Sequence, residues 1–185
     1  MPHSDTLCEK IILRETIFTG RYMQLERLDV RLPDGNLCDR EIVRVRDAVA
    51  VLPIDDEGNV HLVRQYRPAM DRALLEIPAG LIDDGETVEA AALRECEEEL
   101  GIRPKRLEKL ITYAHAVGYS TGMITLFLGS DLEHTGQTQL DSTEFVEPVV
   151  IPFSDLDHRV VTGEFIDAKT IVATILSRNL IDSKT

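Results

Sequence analysis

The chain has 185 residues, of which 43% are hydrophobic, and carries a formal net charge of −13. This length supports one sizeable core, no apolar run approaches the roughly 20 residues that span a bilayer, and the N-terminus lacks a signal-peptide apolar region. The acidic balance argues against a nucleic-acid partner. Because the sequence shows neither a membrane-spanning run nor a signal-peptide region, we expect a cytoplasmic protein without membrane attachment. We expect its three cysteines, Cys8, Cys38 and Cys96, to be reduced thiols.

The first third of the chain predicts antiparallel β-structure. Segments 22–31 and 37–46 flank LPDGN, a turn-forming sequence at 32–36, and read as a hairpin. The β-rich runs 48–54 and 60–66 flank a second turn sequence and read as another hairpin. We expect residues 1–46 to form an N-terminal β extension that mediates dimerisation, and residues 47–185 to form the main domain.

A helix is predicted over residues 87–100. Thr87 can cap its N-terminus, Glu89 lies in the first turn, where the helix dipole favours an anion, and Gly101 can adopt the left-handed conformation that closes the last turn. One side of the helix carries an apolar stripe that would pack against a core. The members of this stripe are Val88, Ala92, Cys96 and Leu100.

Three carboxylates share another side of this helix, which we call the acidic face. Glu95, Glu98 and Glu99 stand at i, i+3 and i+4 and fall within an arc of about 100°. Their repulsion is unfavourable unless a cation compensates it, and carboxylate oxygens suit a hard divalent ion better than zinc. The pattern therefore predicts Mg²⁺, with Mn²⁺ as the second option, although a glutamate-rich helix taken alone is usually just a solvated face.

The remaining chain alternates further strands with helices. Short strands are predicted at 74–77, 107–116, 123–130 and 145–152, and a short helix near 155–161. Asp167 can cap a final helix with an apolar stripe. The predicted fold class is α+β, with a mixed sheet between helices.

Residues 80–102, GLIDDGETVEAAALRECEEELGI, contain glycines, glutamates and an arginine at fixed intervals. These positions are Gly80, Glu86, Arg94, Glu95, Glu98, Glu99 and Gly101. Their spacing resembles the signature of the Nudix hydrolases, with Cys96 in place of the usual larger aliphatic residue. The resemblance implies an α/β/α sandwich in which the acidic face and the Ala79 carbonyl bind metal, while Glu86 pairs with Arg94 to brace the loop that precedes the helix.

Three segments outside the signature resemble the ADP-ribose pyrophosphatase branch, namely QYRP at 65–68, EIPAG at 76–80 and IDAKT at 166–170. The resemblance implies hydrolysis of ADP-ribose or a related nucleoside diphosphate sugar by a homodimer that exchanges N-terminal strands. Arginine geometry suits phosphate oxygens, which makes Arg67, and after it Arg46 and Arg64, candidate substrate ligands. Tyr22 is a candidate for stacking on the base, and Gly118 is a further candidate substrate-binding residue.

Two positions depart from that branch. Val117 and Gly122 stand where its members usually have a proline and an acidic residue. Because proline fixes φ and shapes the loop, Val117 implies a different or looser substrate pocket. His115 and Tyr119 are candidates to replace the lost contacts. A hydrolase for another sugar nucleotide such as GDP-mannose, and a non-catalytic nucleotide-binding module, therefore remain alternatives.

The sequence leaves the general base open among three carboxylates. The segment 141–147, DSTEFVE, follows the acidic helix at a distance where related enzymes often carry this residue. Glu144 is preferred because it precedes a strand and can move, and Asp141 and Glu147 remain alternatives.

Overall fold

The structure is a computed structural model that describes residues 6–136, 138 and 145–182. The strands are β1 Lys10–Thr19, β2 Met23–Arg31, β3 Leu37–Val45, β4 Ala48–Pro53, β5 Asn59–Arg67, β6 Arg72–Glu76, β7 Ala79–Leu81, β8 Ile102–Ala114, β9 Met123–His134 and β10 Val146–Pro152. The helices are α1 Val88–Leu100, α2 Phe153–Val161 and α3 Ala168–Asp182, with a 3₁₀ turn at Pro68–Met70. In this part of the chain no helix is both long and apolar enough to cross a membrane.

The chain divides into two compact units, of which the first runs up to Asp47 and includes Ala114–Met123. It contains the antiparallel sheet β1-β2-β3. The predicted hairpin is confirmed, because β2 and β3 pair from Met23↔Val45 to Arg31↔Leu37 across the LPDGN turn. Sequence reasoning missed β1, whose ten residues are all exposed and therefore show no alternation of apolar and polar positions.

The second unit comprises Ala48–Tyr113 and the chain from Ile124 onward. Its mixed sheet has the order β7-β4-β9-β8, and a separate antiparallel sheet has the order β10-β5-β6. Alternate residues of β4 point to opposite faces. Val49 and Val51 pack with residues of α1, whereas Ala50 and Leu52 pack with residues of α2 and α3. The predicted α+β class and α/β/α sandwich are thus confirmed.

The second predicted hairpin is wrong, although both of its strands exist. β4 and β5 belong to different sheets and are joined next to the turn by an isolated antiparallel Ile54↔Val60 bridge, while Leu52 of β4 and Leu62 of β5 pack in the same part of the core. Val49–Leu52 of β4 are completely buried, so this central strand needs neighbours on both edges, and β7 and β9 provide them. β5 instead pairs with β6 and β10.

The helix that carries the acidic face is confirmed together with its caps. Thr87 Oγ1 accepts a hydrogen bond from the Ala90 N–H at 3.2 Å, and Gly101 closes the helix at φ 63°. Cys96 is fully buried within the apolar stripe, and this burial raises the pKa of its thiol. The cap of α3 is also confirmed, because Asp167 Oδ2 accepts from the Thr170 N–H at 3.1 Å.

Candidate active site

The loop before α1, residues 78–85, contains Gly80 and Gly85 and is called the glycine loop here. Strand β7 brings the backbone of this loop against the acidic face. β7 pairs with β4, with Ala79 opposite Ala50, although the sequence predicted a loop at this point. Gly80 lies so close to Glu95 that an added β-carbon would fall 1.9 Å from the Glu95 Oε1. The Ala79 N–H donates to Glu99 Oε2 at 3.2 Å. Helix and loop therefore meet through two of the three predicted carboxylates.

The members of the acidic face differ in burial. Glu95 and Glu99 retain only 9% and 4% exposure, whereas Glu98 is half-buried. Two carboxylates held out of water on one helix require nearby positive charge or hydrogen-bond donors. Their oxygens fit a hard divalent cation. Within the described residues, however, no group of three or more acidic, histidine or cysteine side chains already surrounds a common point.

Arg94 supplies the positive charge at this face. Its Nη1 donates to Glu95 Oε1 at 2.7 Å and to Glu98 Oε2 at 2.9 Å. Its Nε and Nη2 hold both oxygens of Glu86, and Nη2 also donates to the Leu81 carbonyl. The hydrogen bonds between Arg94 and Glu86 lower the pKa of the Glu86 carboxyl group and raise the pKa of the Arg94 guanidinium. The Arg94 guanidinium thus fixes the glycine loop to α1 and also pairs with two of the three carboxylates of the acidic face.

A second set of charged groups, which sequence reasoning did not assemble, lies next to this site. Arg67 makes two hydrogen bonds of 2.7 Å to Glu76, and Lys169 also pairs with Glu76 and, at 3.0 Å, with Asp167. Burial alone would raise the pKa of Glu76, but the hydrogen bonds of Arg67 and the charge of Lys169 hold it below the usual value. The QYRP, EIPAG and IDAKT segments contain these residues, but sequence spacing alone does not indicate that they meet.

Other predicted residues of the second unit lie elsewhere. Arg64 is three positions from Arg67 on β5, so it points to the opposite face of the strand. It pairs with Glu147 at 3.0 Å, and both side chains are exposed. This contact has the character of a surface ion pair across the β5–β10 ladder. Asp141 and Glu144, the other two candidates for the general base, lie outside the described residues.

Three predicted substrate residues belong to the first unit. Tyr22 is exposed, and the Arg21 guanidinium lies 5.1 Å from its ring centroid. Arg46 directly follows β3, and Gly118 has open space where a side chain would be. Two positions differ from the ADP-ribose pyrophosphatase branch. Val117 is exposed, while a β-carbon at Gly122 would lie 2.6 Å from Val45 Cγ2. The tight contact with β3 explains glycine at 122 in place of an acidic residue.

The chain matches a known domain family and is similar to known proteins over most of its length. The NUDIX domain model matches residues 44–171. An ADP-ribose pyrophosphatase of Bacillus subtilis is 40% identical over 169 residues, which cover 91% of both chains. A methanol dehydrogenase activator of Bacillus methanolicus is 37% identical and covers 89% of this chain and 90% of its own.

The fold agrees as well. A crystal structure of an ADP compounds hydrolase superposes with a TM-score of 0.85 at 27% identity, covering 95% of each chain. The family model covers well over half of the sequence, and it includes the braced loop, the acidic face and the buried charged groups around Glu76. The chain belongs to the Nudix family and is a Nudix pyrophosphohydrolase.

Proposed function

We propose that this protein hydrolyses the diphosphate bond of ADP-ribose, releasing AMP and ribose 5-phosphate. The similar ADP-ribose pyrophosphatase from Bacillus subtilis and the structural match to an ADP compounds hydrolase support this substrate. The observation that carries the proposed chemistry is the contact of Glu95 and Glu99 with the Ala79-Gly80 backbone. The proximity of buried carboxylates to main-chain groups supports a site in which a cation and a diphosphate are held together.

The residues proposed to hold the cation are Glu95, Glu98, Glu99 and the carbonyl of Ala79. All of these donors are oxygens, which favours Mg²⁺, with Mn²⁺ as the second option. When bound, a divalent ion of this kind neutralises phosphate oxygens and activates a water molecule. The pairing of Glu95 and Glu98 with the Arg94 guanidinium supports the assignment, since both carboxylates already converge on a positive group.

Other residues of the chain bind the substrate, hold the glycine loop in place or transfer protons. Arg67 is proposed to bind the diphosphate, and Arg94 and Glu86 to keep the loop against α1. Glu144 is proposed as the general base, with Asp141 as the alternative. Glu147 is disfavoured, because its carboxylate is exposed and paired with Arg64 across a strand ladder. Arg46, Tyr22 and Gly118 are also proposed as substrate contacts.

We also propose that the active form is a homodimer built through the N-terminal β extension. β1 exposes a row of large apolar side chains, namely Ile11, Ile12, Leu13, Ile17 and Phe18. An apolar strand edge of this kind is a template for association with another chain. The three cysteines are free, in keeping with the reducing cytoplasm, where we place the reaction.

Product analysis tests the proposed function. Purified protein with Mg²⁺ would be incubated with ADP-ribose, GDP-mannose, other sugar nucleotides, dinucleotides and nucleoside triphosphates. We expect ADP-ribose to be converted fastest, to AMP and ribose 5-phosphate. Faster turnover of GDP-mannose would contradict the assignment and make the loop with Val117 and Gly122 a specificity determinant. Nucleotide binding without turnover of any compound would favour the non-catalytic module.

A further inference from the structure

A buried ion cluster joins three elements beside the acidic face. It consists of Arg67 at the end of β5, Glu76 at the end of β6, and Asp167 and Lys169 at the start of α3. Two positive and two negative charges cancel formally. The side chains of Glu76 and Lys169 are only 2% and 12% exposed, so these charges are compensated mainly by each other rather than by water.

Within the cluster, Arg67 uses one edge of its guanidinium group to bind Glu76. Its Nε and Nη2 each donate to one Glu76 oxygen at 2.7 Å. A guanidinium has five N–H donors, and Nη1 of Arg67 makes no hydrogen bond to any residue that the structure describes. The side chain is 38% exposed. Arg67 is therefore oriented by Glu76 and still has donors for an anion.

Lys169 shares the task of neutralising Glu76. Its ammonium group pairs with Glu76 Oε2, the oxygen that also accepts from Arg67 Nη2, and with Asp167 Oδ1 at 3.0 Å. Without Lys169 the cluster would hold two carboxylates and only one cation. Arg67 would then be the sole cation paired with Glu76 among the described residues, and the net negative charge beside it would oppose the approach of an anion.

The same helix start fixes the backbone that leads to the acidic face. Thr170 Oγ1 accepts from the Ile77 N–H at 2.9 Å and donates to Asp167 Oδ2. Ile77 lies two residues before Ala79, which contacts Glu99. The start of α3 therefore acts on Arg67 through charge and on the glycine loop through a neutral hydrogen bond, and the two effects can be separated by substitution.

We propose that Lys169 is a positioning residue that sets the affinity for the substrate's diphosphate by keeping the outer edge of Arg67 available, without touching the substrate itself. This inference rests on the proposed function, in which Arg67 binds the diphosphate. It assigns Lys169 to substrate binding rather than to the chemical step. The change on losing it should appear in KM and leave kcat nearly unaltered.

The first experiment compares Lys169→Met with Lys169→Arg by measuring kcat and KM for ADP-ribose at saturating Mg²⁺. Methionine keeps most of the aliphatic volume but removes the charge, and we expect about a tenfold rise in KM with kcat within about twofold. Lys169→Arg retains the charge and should recover most of the loss. Lys105→Met, at an exposed ion pair with Glu133 on the same unit, is the matched control and should leave both constants unchanged.

A double-mutant cycle with Arg67→Ala separates positioning from general structural damage. Lys169→Met should raise KM when Arg67 is present and have little effect when it is absent. An equal effect in both backgrounds, or a fall in kcat at constant KM, would overturn the proposal. If Lys169→Met melts below the assay temperature, Lys169→Gln provides the same test with a neutral donor. Wild-type turnover of ADP-ribose decides the proposed function, and the coupling decides the role of Lys169, so each can fail separately.

Discussion

At Gly80 the glycine loop and the acidic face come into direct contact. A β-carbon there would lie 1.9 Å from Oε1 and 2.4 Å from Oε2 of Glu95. The three atoms nearest to this space all belong to the end of the flexible Glu95 side chain, so the carboxylate can move aside while the backbone keeps its course. A side chain at position 80 would therefore displace a proposed metal ligand at little cost to the fold.

Gly80→Ala should lower turnover by about 100-fold or more, because a ligand shifted by an ångström or more no longer holds the productive geometry. The melting temperature should change by only a few degrees. Gly129→Ala is the matched control, since its β-carbon would press on Pro104 and Val51 in the core instead. It should lower the melting temperature while turnover well below that temperature stays normal. Normal activity in Gly80→Ala would contradict the proposed role of Glu95.

Glu99 combines a buried carboxylate with a main-chain contact. Glu99→Gln keeps an oxygen that can accept from the Ala79 N–H but removes the charge. We expect the fold to persist and turnover to fall by about 100-fold or more, with weaker Mn²⁺ binding by calorimetry. Glu97→Gln on the same helix, where Glu97 pairs with Arg103, should leave both unchanged. Retained activity with ordinary metal dependence in Glu99→Gln would remove it from the proposed site.

Among the elements, α1 matters most because it positions the acidic face. Its residues Ala91, Ala92 and Cys96 are inaccessible to solvent and pack with Val49 and Val51 of β4. That packing leaves the neighbouring side of the helix directed at Ala79 and Gly80. The caps at Thr87 and Gly101 contribute to the stability of the helix rather than to the chemistry.

Gly101→Ala should destabilise the protein by about 1 kcal/mol, because a β-carbon disfavours the left-handed φ of 63° at this position. Gly101→Asn should recover part of the loss, since asparagine tolerates that conformation better. Chemical denaturation measures both effects. Turnover at low temperature should match the wild type, and a large fall in kcat would mean that the cap also positions the acidic face.

For the whole molecule, the exposed apolar residues of β1 predict association with a second copy. Leu13→Lys combined with Ile17→Lys should convert a dimer to a monomer, because two charges would have to be desolvated in the interface. Light scattering after size-exclusion chromatography measures the mass. Thr16→Lys adds charge to the same strand without removing an apolar side chain and is the comparison variant. A monomeric wild type would contradict the dimer proposal.

Acid should destabilise both units. Hydrogen bonds from Arg44 lower the pKa of Glu26, and those from Arg94 lower the pKa of Glu86. At Glu76 burial opposes the shift but Arg67 and Lys169 outweigh it. A carboxyl group with a lowered pKa in the folded state stabilises the fold above its ordinary value of 4.5, and this contribution is lost as the pH falls through the folded value.

The free energy of unfolding in urea should therefore decrease steadily below about pH 4.5. Glu86→Gln removes one of the contributing groups, so its stability should depend less steeply on pH over the same range. An identical slope in the variant and the wild type would show that Glu86 titrates alike in the folded and unfolded states.

Several secondary-structure elements and the family signature can be predicted from local sequence. The capped helix α1, the β2–β3 hairpin and the Nudix signature depend on residues close together in the chain, where helical spacing, turn-forming residues and capping side chains act directly. Periodicity also indicated the strands β4 and β5, but not their partners. β1 was missed because a strand exposed on both faces leaves no alternating pattern.

The tertiary structure determined which strands pair and which side chains are in contact. It separated β4 from β5, placed Gly80 on Glu95, and brought Lys169 to Glu76 across 93 residues of chain. None of these contacts has a local signal, because each depends on which faces the packed sheet and helices bury together. The sequence by itself therefore determined the family and the acidic face, while the fold decided which charges neutralise one another and which remain available to a substrate.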